Sequence, residues 1–145
     1  DRQAVPAAMR RAEETGHTAA AMELTDGRVI TGKTSELLGA CSALLVNALK
    51  ELAGIGHEVL LITPNVIRPI QKLKVDYLGS KNPRLHMEEV LIALSASSES
   101  NELADLALRQ LPRLRGSQVH TSRMLSAADE KTFQRLGIML TSEPR

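Results

Sequence analysis

The chain has 145 residues, 43% of them hydrophobic, with 18 Lys and Arg against 17 Asp and Glu for a formal net charge of +1. That length suits one compact domain which buries about two-thirds of its unfolded surface, so stability requires neither metal nor disulfides, and a single Cys excludes an internal disulfide. No apolar run approaches the roughly 20 residues of a membrane span and no basic-then-apolar leader opens the chain, so a cytoplasmic protein without a membrane partner is expected.

Since Asp1 rather than Met comes first, residues 1–145 are read as one α/β domain of a longer protein, whose preceding domains are its expected partners. Gln3 to Thr15 has apolar Val5, Met9 and Ala12 at helical spacing, Pro6 in the first turn and Gly16 as a stop, which predicts an amphipathic helix. With its flanks, 1–16, it also suits a linker from a preceding domain. Ala19 to Leu24 and Arg28 to Thr31 flank Asp26-Gly27, a dipeptide with easy access to positive φ, and so predict an antiparallel hairpin. From Ser35 to Leu52 the residues Leu38, Cys41, Leu45, Ala48, Leu49 and Leu52 make one stripe, capped by Thr34 or Ser35 and stopped by Gly54.

The remainder alternates an apolar run with a capped helix. Glu58 to Thr63 reads as a strand before a helix through Ile67, Ile70, Leu73 and Tyr77. Glu89 to Leu94 reads as a strand before a helix through Leu103, Ala107 and Leu111. Ser117 to Thr121 then precedes a helix from Ser126 to Leu136, where Ser126 and Asp129 have capping-box spacing, and Ile138 to Thr141 closes the sheet. Continuous apolar strands separated by helices imply parallel βαβ units covered on both faces. The expected fold is a three-layer α-β-α sandwich whose mixed sheet starts with an antiparallel hairpin.

Gly27-Arg-Val-Ile-Thr-Gly-Lys-Thr34 satisfies the phosphate-loop pattern G-x-x-x-x-G-K-[ST]. The residues between its glycines read as strand, however, and no later strand ends in the Asp that holds Mg²⁺ in nucleotide hydrolases. What remains is Lys33, Thr34 and Ser35 at a helix start, either an anion site or an ordinary cap beside a solvated Lys. Polar residues at the ends of the other expected strands extend that choice: Thr63 and Asn65, Ser97 and Asn101, and Arg123 with Ser126. Loops leaving the carboxyl ends of parallel strands gather where ligands sit, although capping alone also explains these residue types.

The connection Leu78 to His86 adds Arg84 and His86 as candidate contacts, or is a plain surface loop. The ligand-binding candidates are therefore Lys33, Thr34, Ser35, Asn65, Arg84, His86, Ser97, Asn101 and Arg123, with a small anionic or nucleotide-like partner. The four His stand far apart and only one Cys exists, so no metal site and no cofactor are expected. Arg109, Arg113, Arg115 and Arg123 form a basic stretch, yet with only Tyr77 and Phe133 as aromatics, base stacking and hence nucleic acid are not expected. No Gly-x-Ser-x-Gly elbow is present, and the residues assign no catalytic group.

The strings Glu23 to Gly39, Ile67-Arg-Pro-Ile-Gln-Lys-Leu-Lys74, Lys81-Asn-Pro-Arg-Leu-His86 and Leu136 to Pro144 resemble the C-terminal portion of the bacterial domain-of-unknown-function family eighteen forty-six. The resemblance implies a protein roughly three times this length, the usual size of several domains. It also implies an upstream Gly-rich segment ending in Gly-Lys, a better phosphate-loop candidate than Gly27 to Thr34. Some members are labelled ATP-dependent peptidases, and no peptidase mechanism is visible in these residues. Three roles follow: ligand-binding module, packing or homo-oligomerisation domain, or part of an enzyme site shared with the upstream domain.

The element order is also similar to the cytidine-deaminase-like architecture. In its zinc-bearing members, metal ligands open two helices. Here the expected helices open Lys33-Thr-Ser-Glu36 and Pro64-Asn-Val-Ile-Arg68, without those ligands.

Overall fold

A computed structural model describes residues 3–143. In chain order the elements are α1 (Ala4–Thr15), β1 (Ala19–Glu23), β2 (Val29–Lys33), α2 (Ala40–Ala53) and α3 (Pro64–Lys72), which continues as a π-turn (Leu73–Tyr77). Then come α4 (Met87–Ser97), α5 (Glu102–Leu108), a short 3-10 turn (Leu111–Leu114), β3 (Gln118–Thr121), α6 (Ala127–Leu136) and β4 (Met139–Ser142). The sheet order is β2-β1-β3-β4, with β1 antiparallel to both neighbours and β3 parallel to β4. This is an α/β domain with a mixed sheet between helices, a three-layer sandwich.

Alternation along β1 divides the layers. Ala20 and Met22 join the main core with Leu44, Leu45 and Leu49 of α2 and Phe133 of α6. Ala21 points the other way and packs on Ala4 and Ala8 of α1. The expected α1 stripe is thus shifted: Ala4 and Ala8 are fully buried while Met9 is exposed. Small side chains on both surfaces let the helix lie close to the sheet, which a Val5–Met9 face would hold away. The expected stops hold, since Gly16 and Gly54 end α1 and α2 in the left-handed region, and the structure adds Gly137, which ends α6 in the same way.

Two expected strands are absent. Glu58 to Thr63 is irregular, and the buried Lys50 ammonium donates to the His57 and Val59 carbonyls at 2.7 and 2.6 Å, holding the start of the segment against α2 rather than in the sheet. Glu89 to Leu94 is helix. Glu88 and Glu89 stand in the first turn of α4, Glu89 reaches back to the His86 N–H at 3.0 Å, and Met87, Val90, Ala93 and Leu94 are buried while Ile92 is exposed. A single parallel unit, β3-α6-β4, therefore stands where several were expected. The span between β2 and β3 is helical and irregular, apart from one parallel bridge between Leu38 and Leu85.

The start of α2 also moves. Ser35 does not cap it; its hydroxyl accepts from Leu37 and Leu38 N–H in a turn, while Leu37 to Gly39 exchange backbone bonds with Leu85. The helix begins only at Ala40 behind an extended Gly39. Among the described residues no helix is long and apolar enough to cross a membrane.

Candidate functional site

Three helices start around one cleft of about 470 Å³. Gly39, Ala40 and Cys41 at the head of α2, Leu85 and His86 at the head of α4, and Ser126, Ala128 and Asp129 at the head of α6 all line it. Helix starts carry N–H groups without intrahelical partners and the positive end of the dipole, so three together make an electropositive hollow. The head of α2 has no side-chain cap. That of α6 is capped by the Ser126 hydroxyl, which accepts from Asp129 N–H at 3.2 Å.

Charged side chains complete the walls. The π-turn after α3 brings Lys74 inward, where its ammonium donates to the Arg84 carbonyl at 2.5 Å and to Glu89 Oε1 at 2.8 Å. The wider i→i+5 turn follows Pro69, which supplies no N–H inside α3, and Leu78 N–H donates to the Leu73 carbonyl. Lys74 and Glu89 neutralise each other. Arg84 donates through Nε to the Ser35 carbonyl, leaving its terminal nitrogens available, and Arg123 is an exposed cation on the β3–α6 loop. His86 Nε2 lies 3.5 Å from Glu89 Oε2, and its enclosed Nδ1 has no hydrogen-bond partner among the described residues.

Asp129 turns away from a reciprocal capping bond and instead accepts the Met87 N–H at 3.0 Å, tying α6 to α4. Burial pushes its carboxyl above the ordinary aspartate value, against the lowering effect of that N–H and of His86. Burial also raises the Cys41 thiol far beyond its usual range, so Cys41 is inert packing rather than a nucleophile. Among the described residues no group of three or more His, Cys, Asp or Glu side chains is placed to hold a metal ion.

The nine candidates from the sequence divide among separate places. Arg84, His86 and Arg123 line the cleft. Lys33 ends β2, and together with Ser35 it borders a different groove, alongside Asn47 and Leu60. Ser97 and Asn101 share a third depression with Thr63 and Val66, where Ser97 donates to the Ala93 carbonyl and Asn101 caps α5 through Leu103 and Ala104 N–H. Thr34 and Asn65 line none of the three; Thr34 N–H donates to Thr18. The edge expected to unite them needed strands at 58–63 and 89–94, and without those strands it does not form.

Gly27-to-Thr34 is not a phosphate loop. Gly27 turns the hairpin at φ +93°, and Gly32 lies within β2 hard against α2. Sequence reasoning missed Lys74, Glu89 and Asp129. The three-residue spacings His86–Glu89 and Ser126–Asp129 were available signals for the last two, whereas nothing local marks Lys74 as inward-facing.

The model for "Domain of unknown function DUF1846, C-terminal" matches residues 1–145. A UPF0371 protein of Corynebacterium urealyticum is 54% identical over all of this chain, which covers 29% of that relative. A UPF0371 protein of Streptococcus thermophilus is 48% identical over 99% of the chain, again 29% of its own length. The chain thus spans under a third of these relatives. On a match along its whole length, the chain belongs to the DUF1846 family, as its C-terminal domain.

Proposed function

We propose that this domain binds a small anionic ligand, phosphate- or carboxylate-bearing, in the cleft where α2, α4 and α6 start. The observation that carries the reading is the meeting of three helix heads with Arg84 and Arg123 around one hollow. Guanidinium groups pair with such oxyanions in bidentate fashion, and the uncapped head of α2 adds backbone N–H donors that need no reorganisation. Lys74 spends its charge on Glu89 and holds the wall, so Arg84 and Arg123 supply the positive charge, which exceeds the single Asp129 carboxyl left beside them. His86 and Asp129 line the same hollow beside them. The cytoplasm is the proposed compartment, in keeping with a single, buried, reduced Cys41.

Titration with inorganic phosphate, and with a nucleotide in parallel, tests the reading. A ligand binding the native state stabilises it by about 2.7 kcal/mol at a hundredfold excess over Kd, a rise of several degrees in melting temperature. The rise is expected to vanish in Arg84→Ala/Arg123→Ala, to weaken in Arg123→Ala alone, and to persist in Lys33→Ala. No rise with either probe, or a rise retained by the double variant, overturns it.

A further inference from the structure

The mouth of the cleft carries side chains that anion binding does not use. Leu78, just after the π-turn, is 73% exposed, Met124 on the β3–α6 loop is 65% exposed, and both line the cleft. Tyr77, adjoining Leu78, is also 73% exposed. Isolated apolar side chains on a surface are ordinary, whereas large ones gathered at the lip of one cleft mark a face suited to contact with another surface. Neither loop needs them for its own geometry: the turn after Leu78 is made by Gly79, in the left-handed region, and the α6 cap by Ser126. Of the other strongly exposed apolar residues, Leu60 borders the groove beside β2, Ile92 a shallow hollow with Ser95, Ala96 and Glu99, and Met139 stands on β4, while Leu73 opens the same π-turn as Tyr77.

This chain covers only 29% of the length of relatives that it matches from end to end, so most of such a polypeptide is available to cover that lip. We infer that Tyr77, Leu78 and Met124 dock against the remainder of the longer polypeptide. The cleft then lies at a boundary between domains, and a surface from outside this chain closes it. Interdomain boundaries are common places for ligand sites, and the contact shields the Arg84 and Arg123 pair from solvent, which strengthens its field. The inference concerns the cleft of the proposed function, yet it rests on different side chains and is tested without ligand.

Amide hydrogen exchange is measured on the full-length Corynebacterium urealyticum relative and on the portion of it that matches this chain. Amides matching 77–80 and 122–126 are expected to exchange about tenfold more slowly in the full-length protein, the mark of a local opening suppressed by contact. Charged substitutions matching Leu78→Lys and Met124→Lys are expected to remove that protection while leaving the melting temperature of the portion unchanged. Equal exchange in the two proteins overturns the inference, as does protection that survives both substitutions. Protection that grows with concentration in the portion alone overturns it too, since a second copy would then be the occupant. A phosphate titration that fails beside positive exchange data removes the anion site and leaves the docking face standing.

Discussion

Gly32 occupies a position where no other residue fits. A Cβ there would lie 2.3 Å from Leu44 N and 2.7 Å from Leu44 Cα, which are backbone atoms of α2 that no rotamer change can move. Gly32→Ala must push α2 off the sheet, and urea unfolding is expected to show a loss of about 2–3 kcal/mol. A loss below about 0.5 kcal/mol, the scale of a neutral surface change, would contradict the close approach. Both glycines of the phosphate-loop pattern thus have folding reasons, a hairpin turn and a helix contact. Asp129 gives a pH signature. Because its folded-state pKa is raised, the native state binds the proton more tightly, so the stability it contributes is present at acid pH and lost as pH rises through the folded value. Asp129→Asn keeps an acceptor for Met87 N–H and is expected to melt above the parent at pH 7, with the gap closing towards pH 4, by paired thermal melts.

At the scale of elements, α4 shows why a continuous apolar run is ambiguous. In a strand Val90, Ile92 and Leu94 would share one face; in the observed helix Val90 and Leu94 are fully buried while Ile92 is 63% exposed. Chemical denaturation is expected to show Leu94→Ala costing about 2–5 kcal/mol and Ile92→Lys under about 0.5 kcal/mol. Equal costs would restore the strand. The start of the segment 58–63 is held by one cation from outside it. Lys50→Met leaves the His57 and Val59 carbonyls without their donor and is expected to lower stability by about 2 kcal/mol, read from the same denaturation midpoint. The caps that were legible, Gly16, Gly54 and Ser126, are those whose partners lie within a few residues.

Across the whole molecule, the polar edge expected from repeated strand-helix units gives way to a cleft built by three helices from distant parts of the chain. Asp129 to Met87 and Arg84 to Ser35 are its cross-links, spanning 42 and 49 residues. An electropositive cleft open to solvent is screened by salt, with a Debye length of about 10 Å at 0.1 M and 3 Å at 1 M. The phosphate-induced rise in melting temperature is therefore expected to shrink as sodium chloride is raised between those limits. A rise indifferent to salt would mean that Arg84 and Arg123 do not carry it.

By itself the sequence determined what local forces govern: the hairpin at Asp26-Gly27, the helices stopped by Gly16 and Gly54, the Ser126 cap, and β3 and β4 at the end of the chain. Only the tertiary structure decided that 58–63 stays out of the sheet, that 87–97 coils, and that Arg84, His86 and Arg123 meet in one cleft while Lys33, Asn65, Ser97 and Asn101 lie outside it. Turn and cap energies act over a few residues and can be read in order along the chain. The acceptors taken by Lys50, the pairing of Lys74 with Glu89, and the bond from Met87 N–H to Asp129 join residues 7 to 42 positions apart, and such pairings exist only once the chain has packed.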